Sequence, residues 1–170
     1  VTYFPNLPDT KVVSQEMNGV FKKLFLDGEA DAMSAISALA LFYDFRELTP
    51  IGEDGDEMIR QLATRLVSVD LLDQAAQLLK HQVEFRLKTV KKARVGLRLA
   101  VIYMLNRKFD KALSVMKITR WRNLPGPLAS ERKQVEARIL LNLEQPEDAL
   151  LALVGDQTDE AHLIRTDIYW

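Results

Sequence analysis

The stretch ARVGLRLAVIYMLNRKFDKALSVM, residues 93–116, decides the fold. Its large apolar residues recur at steps of three and four: Val95, Leu99, Ile102, Tyr103, then Phe109, Leu113, Met116. That is the period of a helix face and not of a strand. Ala100 and Ala112 stand twelve apart, one in each half of the stretch. Two antiparallel helices approach closely only where a small side chain allows it. Large apolar residues a turn away then fill the space beside the crossing.

The alanine pair recurs on either side. Ala63 and Ala75 precede it, Ala137 and Ala149 follow it, and both steps are 37 residues. The surroundings return with the alanines. Leu66, Tyr103 and Leu140 lie three residues after the first alanine of each pair. Leu79, Met116 and Leu153 lie four after the second, and Asp73, Asp110 and Glu147 lie two before it. An acid there faces the positive pole of the second helix. Pro146 suits a first helical turn, where no N–H is needed. Units are expected at 56–92, 93–129 and 130–158, with a partial fourth over 159–170 in which Thr166 takes the small position. Residues 1–11 read as a lead-in broken by Pro5 and Pro8. Residues 12–48 read as a degenerate hairpin or N-terminal cap, with Ser14 starting its first helix and Asp27-Gly28-Glu29 turning it. The chain is expected to be all-α with about nine helices.

The twelve-residue alanine spacing resembles the tetratricopeptide repeat, whose helix–turn–helix unit of 34 residues keeps small residues at its eighth and twentieth positions. The likeness covers residues 56–154. It departs from the family in its 37-residue period and in Ile59, Gly96 and Lys133, which stand where the family has a bulky aromatic. The segment FYDFRELTPIG, residues 42–52, followed by Gly55-Asp56-Glu57-Met58-Ile59-Arg60, is similar to long tetratricopeptide-repeat proteins of Gram-negative bacteria. The resemblance implies a right-handed α-solenoid, a non-catalytic scaffold for protein partners, and a place in the bacterial cytoplasm or periplasm. In that family the outward positions of first helices line a concave groove. Carried over, these are Glu57, Arg60 and Thr64, then Arg94, Leu97, Arg98, Val101 and Met104, then Glu131, Gln134, Arg138 and Leu141. The family's clamp for a peptide C-terminus needs Lys and Asn where this chain has Arg60, Thr64, Arg98, Glu131 and Val135, so that mode is not expected.

Composition bounds the rest. The chain has 170 residues, no cysteine, 48% apolar and 28% charged residues, and a net charge of −1. Thiol catalysis, disulfide frameworks and cysteine-ligated metals are excluded. No run approaches the length of a membrane span. The missing first Met and the uncapped end at Ile168-Tyr169-Trp170 suggest a piece of a longer chain, and the unpaired last helix suggests self-association.

The charge is unevenly placed. Residues 1–85 carry a net −7, residues 86–122 a net +11, and residues 123–170 a net −5. The basic centre reads as an anion-attracting stripe for an acidic protein segment, nucleic acid or anionic lipid, and an acidic or amphipathic protein segment is the favoured partner. The alternatives are neutralisation of acidic neighbours within a structural spacer and, less favoured, nucleic-acid binding. The basic stripe has few interleaved aromatics, and the acidic flanks repel phosphate.

Catalytic and metal signals are weak. His81 and His162 have no partner at metal spacing, and no nucleophile or phosphate-loop motif occurs. No cofactor is expected. The acidic run 53–57 lacks a calcium-loop register and reads as a helix start. Phe42, Tyr43 and Phe45 read as core beside Leu39 and Leu48, as do Met104 and Met116.

Overall fold

The computed structural model describes residues 9–50 and 52–170. Among them every regular element is helical, so the chain is all-α. The contacts divide it into two compact units, residues 1–75 and 76–170, with the boundary inside one helix.

The first unit holds α1 (Asp9–Leu26), α2 (Ala35–Asp44) and α3 (Glu53–Ser68). Both α1 and α2 pack on α3. Phe21 and Phe25 of α1 meet Phe42 of α2 with ring centroids 6.3 and 6.1 Å apart, and all three are buried. Helix α1 starts at Asp9, so it takes in part of the expected lead-in, and Ser14 lies inside it and not at its cap. Residues 1–8 lie outside the described residues. Gly28 turns the chain at φ 83°, a backbone that suits glycine. Ser34 caps α2, its hydroxyl accepting from the Ser37 N–H at 3.1 Å. The acidic run opens α3 with Glu53, Asp54 and Asp56 in the first turn, where the helix dipole favours them. Lys22 of α1 pairs with Asp54 at 2.6 Å. Only Phe42 of the three expected core aromatics is core; Tyr43 and Phe45 stay substantially exposed, because α2 is short and the chain turns away at Arg46–Leu48.

Helix α4 (Leu72–His81) spans the boundary. The second unit continues with a π-helical turn (Gln82–Arg86), then α5 (Thr89–Leu105), α6 (Phe109–Ile118), α7 (Gly126–Asn142), α8 (Pro146–Ala152) and α9 (Asp159–Tyr169). Helices α5 and α6 form one hairpin, and α7 and α8 the next. Helix α7 also packs on α5, α6 and α9. All six repeated alanines are buried. Ala137, Leu140, Ala149, Leu153, Ala161 and Ile164 form a core cluster, with Ile168 packed against it.

The 37-residue step returns in the backbone of the hairpin turns. Asp70, Arg107 and Glu144 are left-handed, at φ 60°, 54° and 59°. In each turn the next N–H reaches back five residues: Leu71 to the Leu66 carbonyl at 2.8 Å, Lys108 to Tyr103 at 2.8 Å, Gln145 to Leu140 at 2.9 Å. The left-handed residue itself donates three residues back, to Val67, Met104 and Leu141. This pair of bonds satisfies carbonyls that the helix end leaves open. The carbonyls of Leu71, Lys108 and Gln145 then accept from Ala75, Ala112 and Ala149 at 3.0–3.1 Å, which starts the next helix. The large neighbour of the first alanine and the second alanine are therefore locked into one register.

The links between hairpins are less regular. Helices α5 and α7 begin 37 residues apart, at Thr89 and Gly126, but α7 and α9 only 33 apart, at Gly126 and Asp159. Gly96 marks the α5–α6 contact. A Cβ there would lie 2.6 Å from the Thr119 Cβ, so only glycine admits that approach. This accounts for a glycine inside a helical pattern and for the missing aromatic at that position.

An L-residue in the left-handed region costs about 1–2 kcal/mol, while glycine costs about 0.5–1 kcal/mol through its unfolded-state freedom. Glu144→Gly is expected to raise unfolding stability by about 0.5 kcal/mol, measured by urea denaturation; a loss of stability counts against the strained-turn account.

Candidate interaction surface

Among the described residues four polar ones are buried: Gln82, Thr119, Asp156 and Arg132. The first three stand 37 residues apart, each just past the end of a second helix. Arg132 of α7, 6% exposed, reaches into this position of the preceding hairpin. Its Nη1 donates to the Ala93 carbonyl at 2.6 Å, and its Nη2 to the Met116 carbonyl at 2.8 Å and to Thr119 Oγ1 at 3.2 Å. The cation therefore ties early α5, late α6 and early α7 at one end of the helix layer. It also sits at the negative pole of α6. Burial lowers its pKa; Glu136 opposes that shift and Arg120 adds to it.

Arg165 of α9 repeats the tie one hairpin later, donating to the carbonyls of Leu153 at 2.8 Å and Asp156 at 2.7 Å. The Asp156 carboxylate accepts from the Thr158 N–H at 3.1 Å, the Thr158 hydroxyl at 2.8 Å and the Gln134 amide at 3.0 Å. Burial alone would raise the Asp156 pKa. The Thr158 and Gln134 hydrogen bonds, with the Lys133 charge, outweigh it and hold the carboxyl below its ordinary value. Thr158 in turn caps α9.

The basic block divides along the helices. Arg86, Lys88, Lys91, Lys92, Lys117, Arg120 and Arg122 lie at the end of the layer marked by Arg132. Arg107, Lys108 and Lys111 lie at the other end, among Asp110, Glu144, Glu147 and Asp148. Arg94 and Arg98 are exposed along α5. Among the described residues Lys88, Lys117 and Arg122 enter no ion pair. Arg120 pairs with Glu136 of α7 at 3.0 Å.

The expected groove residues are placed as follows. Arg60 and Thr64 belong to the first unit, Arg60 in an ion pair with Glu57 and Thr64 exposed. Leu97, expected to face outward, is 4% exposed and belongs to the core, where burial suits its apolar side chain. Val101 and Met104 are half-buried. Arg138 pairs with Glu160 and Gln134 bonds Asp156 and Thr158, so α7 spends these side chains on α9. Glu131 is exposed and Leu141 half-buried. Met116 is core, Met104 is not fully so.

A cavity of about 290 Å³ lies among α4, the π-helical turn, α5 and α6. Leu99, Tyr103 and Val115 give it apolar walls, and Lys80, Glu84 and Lys111 charged ones. None of the expected groove residues lines it. Among the described residues no group of three or more His, Asp or Glu could hold a metal ion. Both histidines are exposed, with His81 beside the Phe85 ring at 5.0 Å. Among the described residues no helix is long and apolar enough to cross a membrane. Tyr169 and Trp170 are exposed at the end of α9.

Two consequences can be measured. Arg132→Met removes a charged donor from two buried carbonyls and a hydroxyl, and is expected to cost about 2–3 kcal/mol in urea unfolding. For Asp156 the folded pKa is depressed. Its contribution is therefore present above the unfolded carboxylate value of about 3.9 and is lost as pH falls through the lower folded value. Asp156→Asn is expected to melt below the parent chain at neutral pH, with the gap closing below about pH 4. A gap that does not change with pH contradicts this.

Compared with known proteins, the chain matches no family model, no curated relative and no solved structure.

Proposed function

We propose that the chain is a protein-interaction module, its hairpins stacking as a tetratricopeptide-like α-solenoid, with α5 presenting the binding stripe. The observation that carries the reading is the side-chain order on that helix. Arg94 and Arg98 are exposed, and Val101 and Met104 follow half-buried, at helical steps that place them along one stripe. A basic stretch grading into an apolar one suits an amphipathic segment with acidic residues at one end. The 37-residue return of turn and buried alanines supports the repeat assignment.

A second reading has its own support. The ion pairs Arg120–Glu136 and Arg138–Glu160 join successive hairpins, which is what a structural spacer would use its charges for. Exposed pairs of this kind are each worth about 0–1 kcal/mol.

The two readings separate on one experiment. Arg94→Glu combined with Arg98→Glu is expected to weaken capture of acidic amphipathic peptides about tenfold or more, equal to about 1.4 kcal/mol, in calorimetric titration. Unchanged capture favours the spacer and refutes the stripe.

A further inference from the structure

The links α4–α5 and α6–α7 emerge at the same end of the helix layer. Arg132 touches both early α5 and late α6 there, and Thr119 lies against Gly96. Each link exposes large apolar side chains. Phe85 is 74% exposed, Ile118 57% and Trp121 45%. Basic residues flank each of them: Lys88 follows Phe85, Lys117 precedes Ile118, and Arg122 follows Trp121. The nearest acid on the first link, Glu84, is paired with Lys80 at 3.7 Å. Beyond α7 the edge changes sign, with Asp159 and Glu160 opening α9. The apolar and basic features therefore coincide on two successive links.

Exposed aromatic and aliphatic tips gain free energy where an apolar layer receives them, and cations beside them are attracted to an anionic surface. A lipid surface supplies both at the depth of its headgroups. Tryptophan favours that layer, and each Lys or Arg beside an anionic leaflet adds attraction. A single-stranded nucleic acid would use the rings but offers nothing to Ile118.

We propose that this edge docks on anionic membrane surfaces, with Phe85, Ile118 and Trp121 entering the headgroup layer and Lys88, Lys117 and Arg122 pairing with lipid phosphates and carboxylates. The site is separate from the α5 stripe and does not depend on it.

The test uses the whole chain with Trp170→Phe, which leaves Trp121 as the only tryptophan. Vesicles of phosphatidylcholine with a third phosphatidylserine are expected to sediment the protein at low salt and to shift Trp121 emission to the blue. Pure phosphatidylcholine is expected to do neither. Lys88→Gln and Arg122→Gln should each weaken binding about fivefold, and Phe85→Ser about tenfold. All three positions are exposed, so unchanged thermal melts show the fold intact. The proposal falls if anionic vesicles do not retain the chain. It also falls if they retain it without a Trp121 shift and without sensitivity to Phe85→Ser, or if single-stranded DNA or polyglutamate retains it where vesicles do not.

Discussion

The hydrogen bond from Lys108 to the Tyr103 carbonyl, with its equivalents at Leu71 and Gln145, is the constraint on which the hairpins depend. It closes one helix and sets the first acceptor of the next within a few residues. Its cost is a left-handed residue that is never glycine at these three turns. The side chains there are Asp, Arg and Glu, so the conformation is imposed by the bonds around it and not by the residue itself. Once the turn is fixed, Ala100 and Ala112 must face each other, and the large residues beside them have one place to go.

A second level of order joins one hairpin to the next. Here backbone groups at the end of a second helix are satisfied from outside, by Arg132 in one case and Arg165 in the other. A guanidinium can serve several carbonyls at once because its donors are fixed in a planar fork. The helix end needs cation and donor together, and arginine supplies both. This explains why a buried charge is tolerated without a carboxylate at hydrogen-bond distance.

Much of the helical layout was legible because alanine spacing and apolar period are direct records of close packing. The six alanines, the acids opening α4, α6 and α8, and the helical start at the acidic run all follow from local physics. The candidate surface was less legible. Leu97 read as outward because its position was carried over from another repeat family, and a single sequence does not record how many sides of α5 the neighbouring helices cover. Arg138 read as a groove residue, yet its partner Glu160 lies on another helix, and sequence spacing carries no record of that pairing. The buried Arg132 gave no sign of its role, but the polar positions 82, 119 and 156 keep the same 37-residue step and could have marked the place it serves. Ser14 and Ser34 show the same limit: both residue types suit a cap, yet Ser14 falls inside α1 and Ser34 caps α2.

The shortened step between α7 and α9 shows where the chain can change length. Each hairpin turn links the end of one helix to the start of the next through backbone bonds a few residues apart, so an added or deleted residue there breaks the register of both helices. Helix α8 has seven residues where α6 has ten, and the link after it has lost one more, yet α9 still delivers Arg165 to the waiting carbonyls. Length variation in these two hairpins thus falls at the far end of the second helix and in the link beyond it, while the tight turn between the two helices keeps its length.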